Sequence, residues 1–403
     1  MKRKTIAALI AVLTIGMSTS VWAAQSISQI IPEAPKTEQG TLSGSQTLVV
    51  KNADPVSYKS ETVTKAVEKF NNDDKIVVTV TEFLSDLGVD TKTEEIKTTT
   101  GTPVIPSLYE SLTPVIDLGI EENGEMIYET SKPIKATITV EAVKGMDKKD
   151  ILLLVVDQAT KKPYFISPEE FNSETGEITA TFPTLGALTV LKNTQMCTTD
   201  VNPDKYENKK ASELVAKVAG KQNAEFSDFF NSSEGDTSAI KIGDGDTINA
   251  DDYSSAMELT DIAIKSGDNY IYTTLEGSAE VDAHRDLGSV DWKRIVQIAK
   301  PDFDVTAAEA NPSLLKELGT FTIPEGFLVQ INPETGEKEY IKEVEFYFAS
   351  PNSEEVADDD SDGVRQSWKA SDENSDPNTL DLVIRAKFKS MGAFTLILPK
   401  DAQ

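Results

Sequence analysis

The chain carries very little with which to do covalent or metal chemistry: one cysteine and one histidine in 403 residues. Zinc sites are built from clustered His and Cys, and Cys197 and His284 alone do not make one. A Ser-His-Asp triad works through an imidazole base. Only His284, in Val281-Asp-Ala-His-Arg-Asp286, can serve, and no Gly-x-Ser-x-Gly elbow supplies the nucleophile. In so charged a stretch the ring is expected at the surface. A single thiol also excludes an intramolecular disulfide, so stability must come from packed cores. Cys197 is expected as a quiet, partly covered thiol. Phosphate-cradling glycine loops and dinucleotide fingerprints are absent too, which removes support for nucleotide chemistry. No catalytic residue and no certain cofactor is expected.

Positive charge is scarce: 39 Lys and Arg stand against 67 Asp and Glu, a net charge of −28. Phosphate binding needs clustered Lys and Arg, so nucleic acid and anionic membrane surfaces are excluded as partners. Acidic pairs suitable for glycoside hydrolysis are so abundant that none is marked. Long apolar runs are lacking as well, with one exception at the start. Met-Lys-Arg-Lys, an apolar run from Ile6 to Met17, and Val21 and Ala23 before a small-residue exit have the form of a secretory signal peptide over 1–23. That run is too short to span a bilayer, and no later run is longer. Cleavage leaves 36 basic and 67 acidic residues, a net charge of −31, which suits solubility outside the cell. The expected location is secreted or cell surface, non-covalently held if at the surface, since no lipid-attachment cysteine or sorting motif is present.

What the sequence has is an internal echo. Ala180-Thr-Phe-Pro-Thr-Leu-Gly-Ala-Leu-Thr-Val190 is matched by Ala386-Lys-Phe-Lys-Ser-Met-Gly-Ala-Phe-Thr-Leu396 at an offset of 206. Glu82-Phe83 is echoed by Glu225-Phe226 at 143, Ile127-Tyr128 by Ile271-Tyr272 at 144, and Thr160–Ile166 by Thr335–Ile341 at 175. Echoes in a common order indicate one module used twice, with insertions in the second copy where the offset grows. The divisions are a flexible leader over 24–46, a first module over 47–192, a linker over 193–208, and a second module over 209–403 with insertions near 287–326 and 351–378.

Within each module the pattern is mainly β with short helices. Thr47–Lys51 is expected as a first strand. Val63, Ala66, Val67 and Phe70 at i, i+3, i+4, i+7 mark a helix, as do Leu214, Val215 and Val218. Another helix is expected from a Thr81 cap to Gly88. Ile134–Val140 alternates as a strand with one wet face does, and Ile151–Val156 is apolar throughout, as a strand buried on both sides is. Val344, Phe346, Phe348 and Leu380–Phe388 alternate again. Short strands without a βαβ rhythm favour tandem antiparallel β-sandwich modules. Gly186 and Gly392 suit bends where a Cβ would clash. The alternating strands, the Asn332-Pro-Glu-Thr-Gly336 turn and the closing Leu-Gly-Ala-Leu-Thr-Val resemble β-sandwich modules of exported proteins of anaerobic Gram-positive bacteria. The resemblance covers about 133–192 and 327–400 and implies a non-catalytic part of a surface protein.

Two polar features remain. Asp358, Asp360 and Asp362 precede Gly363 at positions 1, 3 and 5, the spacing that wraps oxygen ligands around Ca²⁺, so calcium is the cofactor this loop would take. An EF-hand is rejected, because Lys369 stands where its last Glu belongs. Gly243–Asp252 resembles half of a dockerin loop with its aspartates out of phase, and is better read as a turn before a capped helix. Glu-Thr-Gly-Glu at 174–177 and 334–337 reads as a hairpin turn with Gly at positive φ. Trp292 and Trp368, both in the insertions, are the candidate sugar platforms. The function expected is a non-catalytic exported protein for cell-surface structure, adhesion or ligand display. A carbohydrate-binding accessory protein is the alternative, and a glycoside hydrolase the third reading. The partner is expected to be an extracellular protein or glycan.

Overall fold

The structure, a computed structural model, describes residues 27–38, 41–72, 80–91, 93–230, 234–243, 246–266, 269–350, 365–366 and 380–400. The first half holds strands β1 (Gln46–Asn52), β2 (Ile116–Glu122), β3 (Ile134–Thr139), β4 (Ile151–Asp157), β5 (Pro163–Ile166), β6 (Glu177–Phe182) and β7 (Gly186–Asn193). Helices α1 (Glu61–Asn72) and α2 (Val80–Asp86) fall between β1 and β2. The second half holds β8 (Gln195–Thr199), helix α3 (Lys209–Val218), β9 (Thr260–Ser266), β10 (Thr274–Asp286), helix α4 (Trp292–Ala299), β11 (Phe327–Ile331), β12 (Lys338–Ile341), β13 (Val344–Ala349), β14 (Asp381–Ser390) and β15 (Ala393–Pro399). The fold is mainly β with short helices.

Each half has a large and a small sheet. The large sheets run β1-β2-β7-β4-β5 and β8-β9-β15-β11-β12, the same order in chain terms. In each, a short extra strand (Tyr109–Ser111, Tyr253–Ser255) adds to the last strand and another (Glu125–Ile127, Asn269–Ile271) to the second. The small sheets pair β3 with β6 and β10 with β14. Among the described residues the strands pair antiparallel except Arg365–Gln366, which lies parallel to β10; the isolated Thr98–Phe165 bridge is parallel as well, so the all-antiparallel expectation is not fully met.

The two-faced burial expected of Ile151–Val156 explains the layering. Ile151, Leu153 and Val155 face the small sheet, sharing a core with Ile134, Ile138, Ile178 and Phe182. Leu152, Leu154 and Val156 face α1 and α2, packing with Val63, Val67, Phe70 and Phe83. A strand with apolar residues on both faces needs cover on both. Each half is therefore a sandwich with a helical third layer. In the second half Leu328, Phe394 and Leu396 face the small sheet, while Val329, Ile331 and Ile397 face α3 and Phe226.

Several expectations are corrected. The leader over 24–46 is structured where described: Ile30 and Ile31 are buried in the first core, and Lys36–Thr37 extends the small sheet beside β3. The stretch 193–208 is no loose linker, because β8 lies in it, fully paired with β9 and with Met196 and Cys197 buried. One apolar cluster runs from α1 and α2 through Ile105, Leu108 and Met196 into the second sandwich. Thr81 lies inside α2, not at its cap. The insertion over 287–326 packs onto the core through helices, one of them in the helical stretch near Asn311–Leu318 that its sequence suggests: α4, Val305–Ala310 and a 3₁₀ segment over Pro312–Leu318 bury Ile295, Val296, Ala308 and Leu315. The 351–378 insertion lies outside the described residues except for Arg365–Gln366.

Candidate functional site

Of the residues singled out in the sequence, Asp358, Asp360, Asp362 and Trp368 lie outside the described residues. Trp292 opens α4 half-buried against the large apolar cluster, with the Lys293 ammonium 5.8 Å from its ring centre. Its indole packs an insertion helix onto the core. Gly243 ends the first arm of a small hairpin, and Asn249 caps a 3₁₀ turn over Ala250–Asp252, much as the turn-and-cap reading expects. His284 is corrected: it is 6 % exposed, in β10, with Nδ1 3.4 Å from a carboxylate oxygen of Asp381. Strand alternation puts it beside Asp282 on the face opposite Val281 and Ala283. There Arg385 grips Asp282 through two bonds of 2.8 and 3.1 Å, and Tyr347 donates at 3.1 Å. Cys197 is buried and burial pushes its thiol up to about 11, which keeps it unreactive.

The polar constellation that stands out was not seen in the sequence, and it occurs twice. In the first half Asp117, 2 % exposed on β2, accepts from Tyr58 Oη at 2.6 Å, Tyr128 Oη at 3.2 Å and the Asp54 amide at 3.1 Å. In the second half Asp261, 0 % exposed on β9, accepts from Tyr206 Oη and from the Asn202 amide at 3.3 Å, with the Tyr272 hydroxyl also bonded to it. The signal was legible: Asp54-Pro-Val-Ser-Tyr58 and Asn202-Pro-Asp-Lys-Tyr206 share Asp/Asn-Pro-x-x-Tyr at an offset of 148. Proline starts a single 3₁₀ turn in both. Thr64 and Ser212, again 148 apart, each donate a hydroxyl to the proline carbonyl, at 2.8 and 2.9 Å.

Desolvation raises Asp117, and raises Asp261 to about 6, against the pull of their hydrogen bonds. Tyr128 and Tyr272 are pushed up to about 12 by burial and by the adjacent carboxylate. A carboxyl shifted toward neutrality is the usual raw material of acid–base catalysis. Here both carboxyls are sealed from solvent and do the same thing: they tie the entry of the helical layer to the second strand of the large sheet. Their part is structural.

The open feature nearest to a site lies between the halves. Glu276 sits where the pairing of β10 with β14 shifts register between Thr274 and Ala279, and such irregularities re-aim a side chain. Its carboxylate accepts from Thr81 Oγ1 at 2.7 Å, Ser107 Oγ at 2.6 Å and the Ser107 amide at 3.3 Å. Beside it opens a cleft of about 230 Å³ lined by Glu94, Ile96, Ile105, Glu280 and Lys387. Clefts between units are common binding places, but the Glu276 bonds are spent on joining the halves. Among the described residues no group of three or more His, Cys, Asp or Glu is placed to hold a metal. No helix among them is long and apolar enough to cross a membrane.

Comparison with known proteins gave no match: no family model, no curated protein and no solved structure is similar to this chain.

Proposed function

We propose that the chain is one sandwich module used twice, exported, and non-catalytic, serving cell-surface structure, adhesion or ligand display. The observation that carries this reading is the reuse of one buried polar skeleton in both halves. Asp117 with Tyr58 and Tyr128, and Asp261 with Tyr206 and Tyr272, are spent on holding layers together. The same holds for the threonine of the closing strand: Thr189 Oγ1 donates to the Thr113 carbonyl and Thr395 Oγ1 to the Met257 carbonyl, both at 2.8 Å. A chain that invests its buried acids in scaffold, with its only imidazole packed in a strand, is suited to presenting surface. The signal-like segment over 1–23 and the scarcity of basic residues support a place outside the cell.

The test has two arms. Residues 1–30 fused to a reporter active only after export should yield active reporter, and substituting Ile10 and Leu13 with Arg should abolish it. The mature chain should show no turnover on a panel of glycoside and ester substrates. A reporter left in the cytoplasm sinks the location. Turnover lost in His284→Ala or Asp261→Asn, with the folded spectrum kept, sinks the non-catalytic reading.

A further inference from the structure

The β4–β5 and β11–β12 turns have the same backbone. Asp157 Oδ1 accepts from the amides of Ala159 and Thr160 at 2.8 and 2.9 Å, and Asn332 Oδ1 from those of Glu334 and Thr335 at 3.0 and 3.1 Å. The strands on either side of these turns therefore correspond residue for residue. Their pairing agrees: Val155 lies opposite Leu188 and Tyr164, and Gln330 opposite Phe394 and Glu339. Gln330 thus stands where the first half has Val155, and Glu339 where it has Tyr164. On the small sheet Ser390 matches Thr184, at the offset of the closing strands.

In the first half this place is apolar, with Val155 buried in the core and Tyr164 packed against it. In the second half polar side chains converge on it from both sheets. Strand alternation sets Gln330 on the face of Leu328 and Glu339 on that of Ile341, toward the small sheet, and Ser390 on the inward face of β14 with Phe388. Gln330 Nε2 donates to the Ser390 carbonyl at 2.6 Å and so spans the two sheets. A carbonyl only accepts, so this bond fixes the orientation of the amide and leaves its oxygen over. Gln330 and Ser390 are 0 % exposed, and Gln330 Oε1, Ser390 Oγ and Glu339 Oε2 are buried atoms with no hydrogen-bond partner in the protein. A fold gives up hydration for nothing at such atoms, and the first half shows that the same frame closes without them.

The three orphans are all oxygens. An amide oxygen and a carboxylate oxygen only accept, so they cannot satisfy each other. One carboxylate among neutral oxygens is a hard donor set, suited to alkali or alkaline-earth ions and unsuited to metals that seek nitrogen or sulfur. We infer that Gln330 Oε1, Glu339 Oε2 and Ser390 Oγ bind a hard cation, calcium or sodium, between the sheets of the second half. Glu339, on the edge strand and only partly buried, gives the ion its way in and supplies the charge. The bound ion ties β12 and β11 to the end of β14, the work that Val155 and Tyr164 do by apolar packing. This inference stands on the comparison of the halves and holds whether or not the chain is exported.

The test is an NMR titration of the chelator-treated mature chain with calcium chloride and with sodium chloride, read at the Gln330 side-chain amide. Choline chloride at equal ionic strength is the control. That local signal separates this place from any calcium taken by Asp358, Asp360 and Asp362. A saturable shift with calcium or sodium, absent with choline, is expected, together with a saturable rise in melting temperature. Tighter binding of calcium assigns a divalent ion, and the reverse a monovalent one. Glu339→Gln should weaken binding at least ~10-fold. The pair Gln330→Val with Glu339→Tyr, which installs the first-half residues, should fold and lose the ion-dependent rise. Should that pair not fold, Ser390→Ala keeps the test open, since it removes one ligand and should weaken the same titration. If neither ion moves the Gln330 amide, or if Glu339→Gln and Ser390→Ala both titrate as the parent does, water alone bridges these oxygens and the inference is overturned.

Discussion

The first and second halves share their hydrogen bonds more faithfully than their hydrophobic residues. Asp117 and Asp261, Thr189 and Thr395, and Gly186 and Gly392 hold matching places, while the closing strands swap Leu188 for Phe394 and Leu185 for Met391. The reason is a difference in what each interaction tolerates. Apolar cores accept changes of shape at small cost when volume is kept. A buried backbone group or hydroxyl that loses its partner forfeits its full desolvation energy. The surroundings differ as well: α1 and α2 of the first half share a cluster with the second half, whereas α3 packs only within its own. The first half is thus buttressed from outside, and the second half's helical layer stands on its own contacts.

The largest expected effect follows from the tighter of the two acid sites. Asp261→Ala strands the buried Tyr206 hydroxyl and the Asn202 amide, and should cost about 3 kcal/mol in urea unfolding. Asp117→Ala, at the slightly less buried carboxyl, should cost about 2 kcal/mol. Equal costs would remove the distinction between the sites. The pH dependence sharpens it. Asp261 is raised to about 6, against ~3.9 in an unfolded chain. A raised carboxyl lets the folded state keep a proton that the unfolded state has lost, so its contribution is fully present below about pH 4 and is lost as the pH rises to about 6. Relative to the parent, Asp261→Asn should therefore gain up to about 3 kcal/mol between those pH values. Asp117→Asn should move in the same direction. Parallel stability curves for parent and Asp261→Asn would refute the account.

Much of the frame was legible in the sequence because it rests on periodicity. The alternation of Ile134–Val140 and the all-apolar Ile151–Val156 gave strands of the right exposure, and Val63, Ala66, Val67 and Phe70 are all buried on α1. Boundaries between layers were not legible, since the partner of each face is a matter of packing at long range. Ile30 and Ile31 sit in a polar leader and still fill a core. His284 lies among charges, yet strand geometry buries it. The paired acid sites were missed because their residues are scattered along the chain, although Asp/Asn-Pro-x-x-Tyr at a constant offset pointed to them.

The glycines of the closing strands give the next effect. A Cβ on Gly186 would lie 2.3 Å from the Val156 carbonyl oxygen, and one on Gly392 would lie 2.5 Å from that of Ile331. Both clash with the backbone of the neighbouring large-sheet strand, which cannot move aside as a side chain can. Gly186 also holds φ at +152°, so alanine there adds torsional strain to the clash. Gly186→Ala should cost about 2.5 kcal/mol, and Gly392→Ala about 2 kcal/mol, by thermal unfolding. A tolerated alanine at either place would show that the β7 and β15 contacts are looser than the pairing implies.

The smallest effect runs in the favourable direction and tests whether the two turns are truly the same. Lys161 holds φ at +65° and Gly336, at the corresponding place, +68°. Each amide closes the turn on a carbonyl four residues back: Lys161 on Asp157 at 2.8 Å and Gly336 on Asn332 at 2.9 Å. A side chain in the left-handed region costs roughly 1 kcal/mol relative to glycine, and among the described residues the Lys161 ammonium donates to Thr62 Oγ1, at 3.1 Å and exposed. Lys161→Gly relieves the strain but enlarges the freedom of the unfolded chain, which returns part of the gain. The net should be a stabilisation of about 0.5 kcal/mol. The reverse change is not its mirror image. A Cβ on Gly336 would meet the Ala211 amide nitrogen and Asn208 Oδ1 at 3.0 Å, at the capped start of α3. Gly336→Lys should therefore cost about 2 kcal/mol. If Lys161→Gly destabilises as much as Gly336→Lys does, the lysine is held by contacts that the glycine turn lacks, and the two hairpins differ in more than their residues.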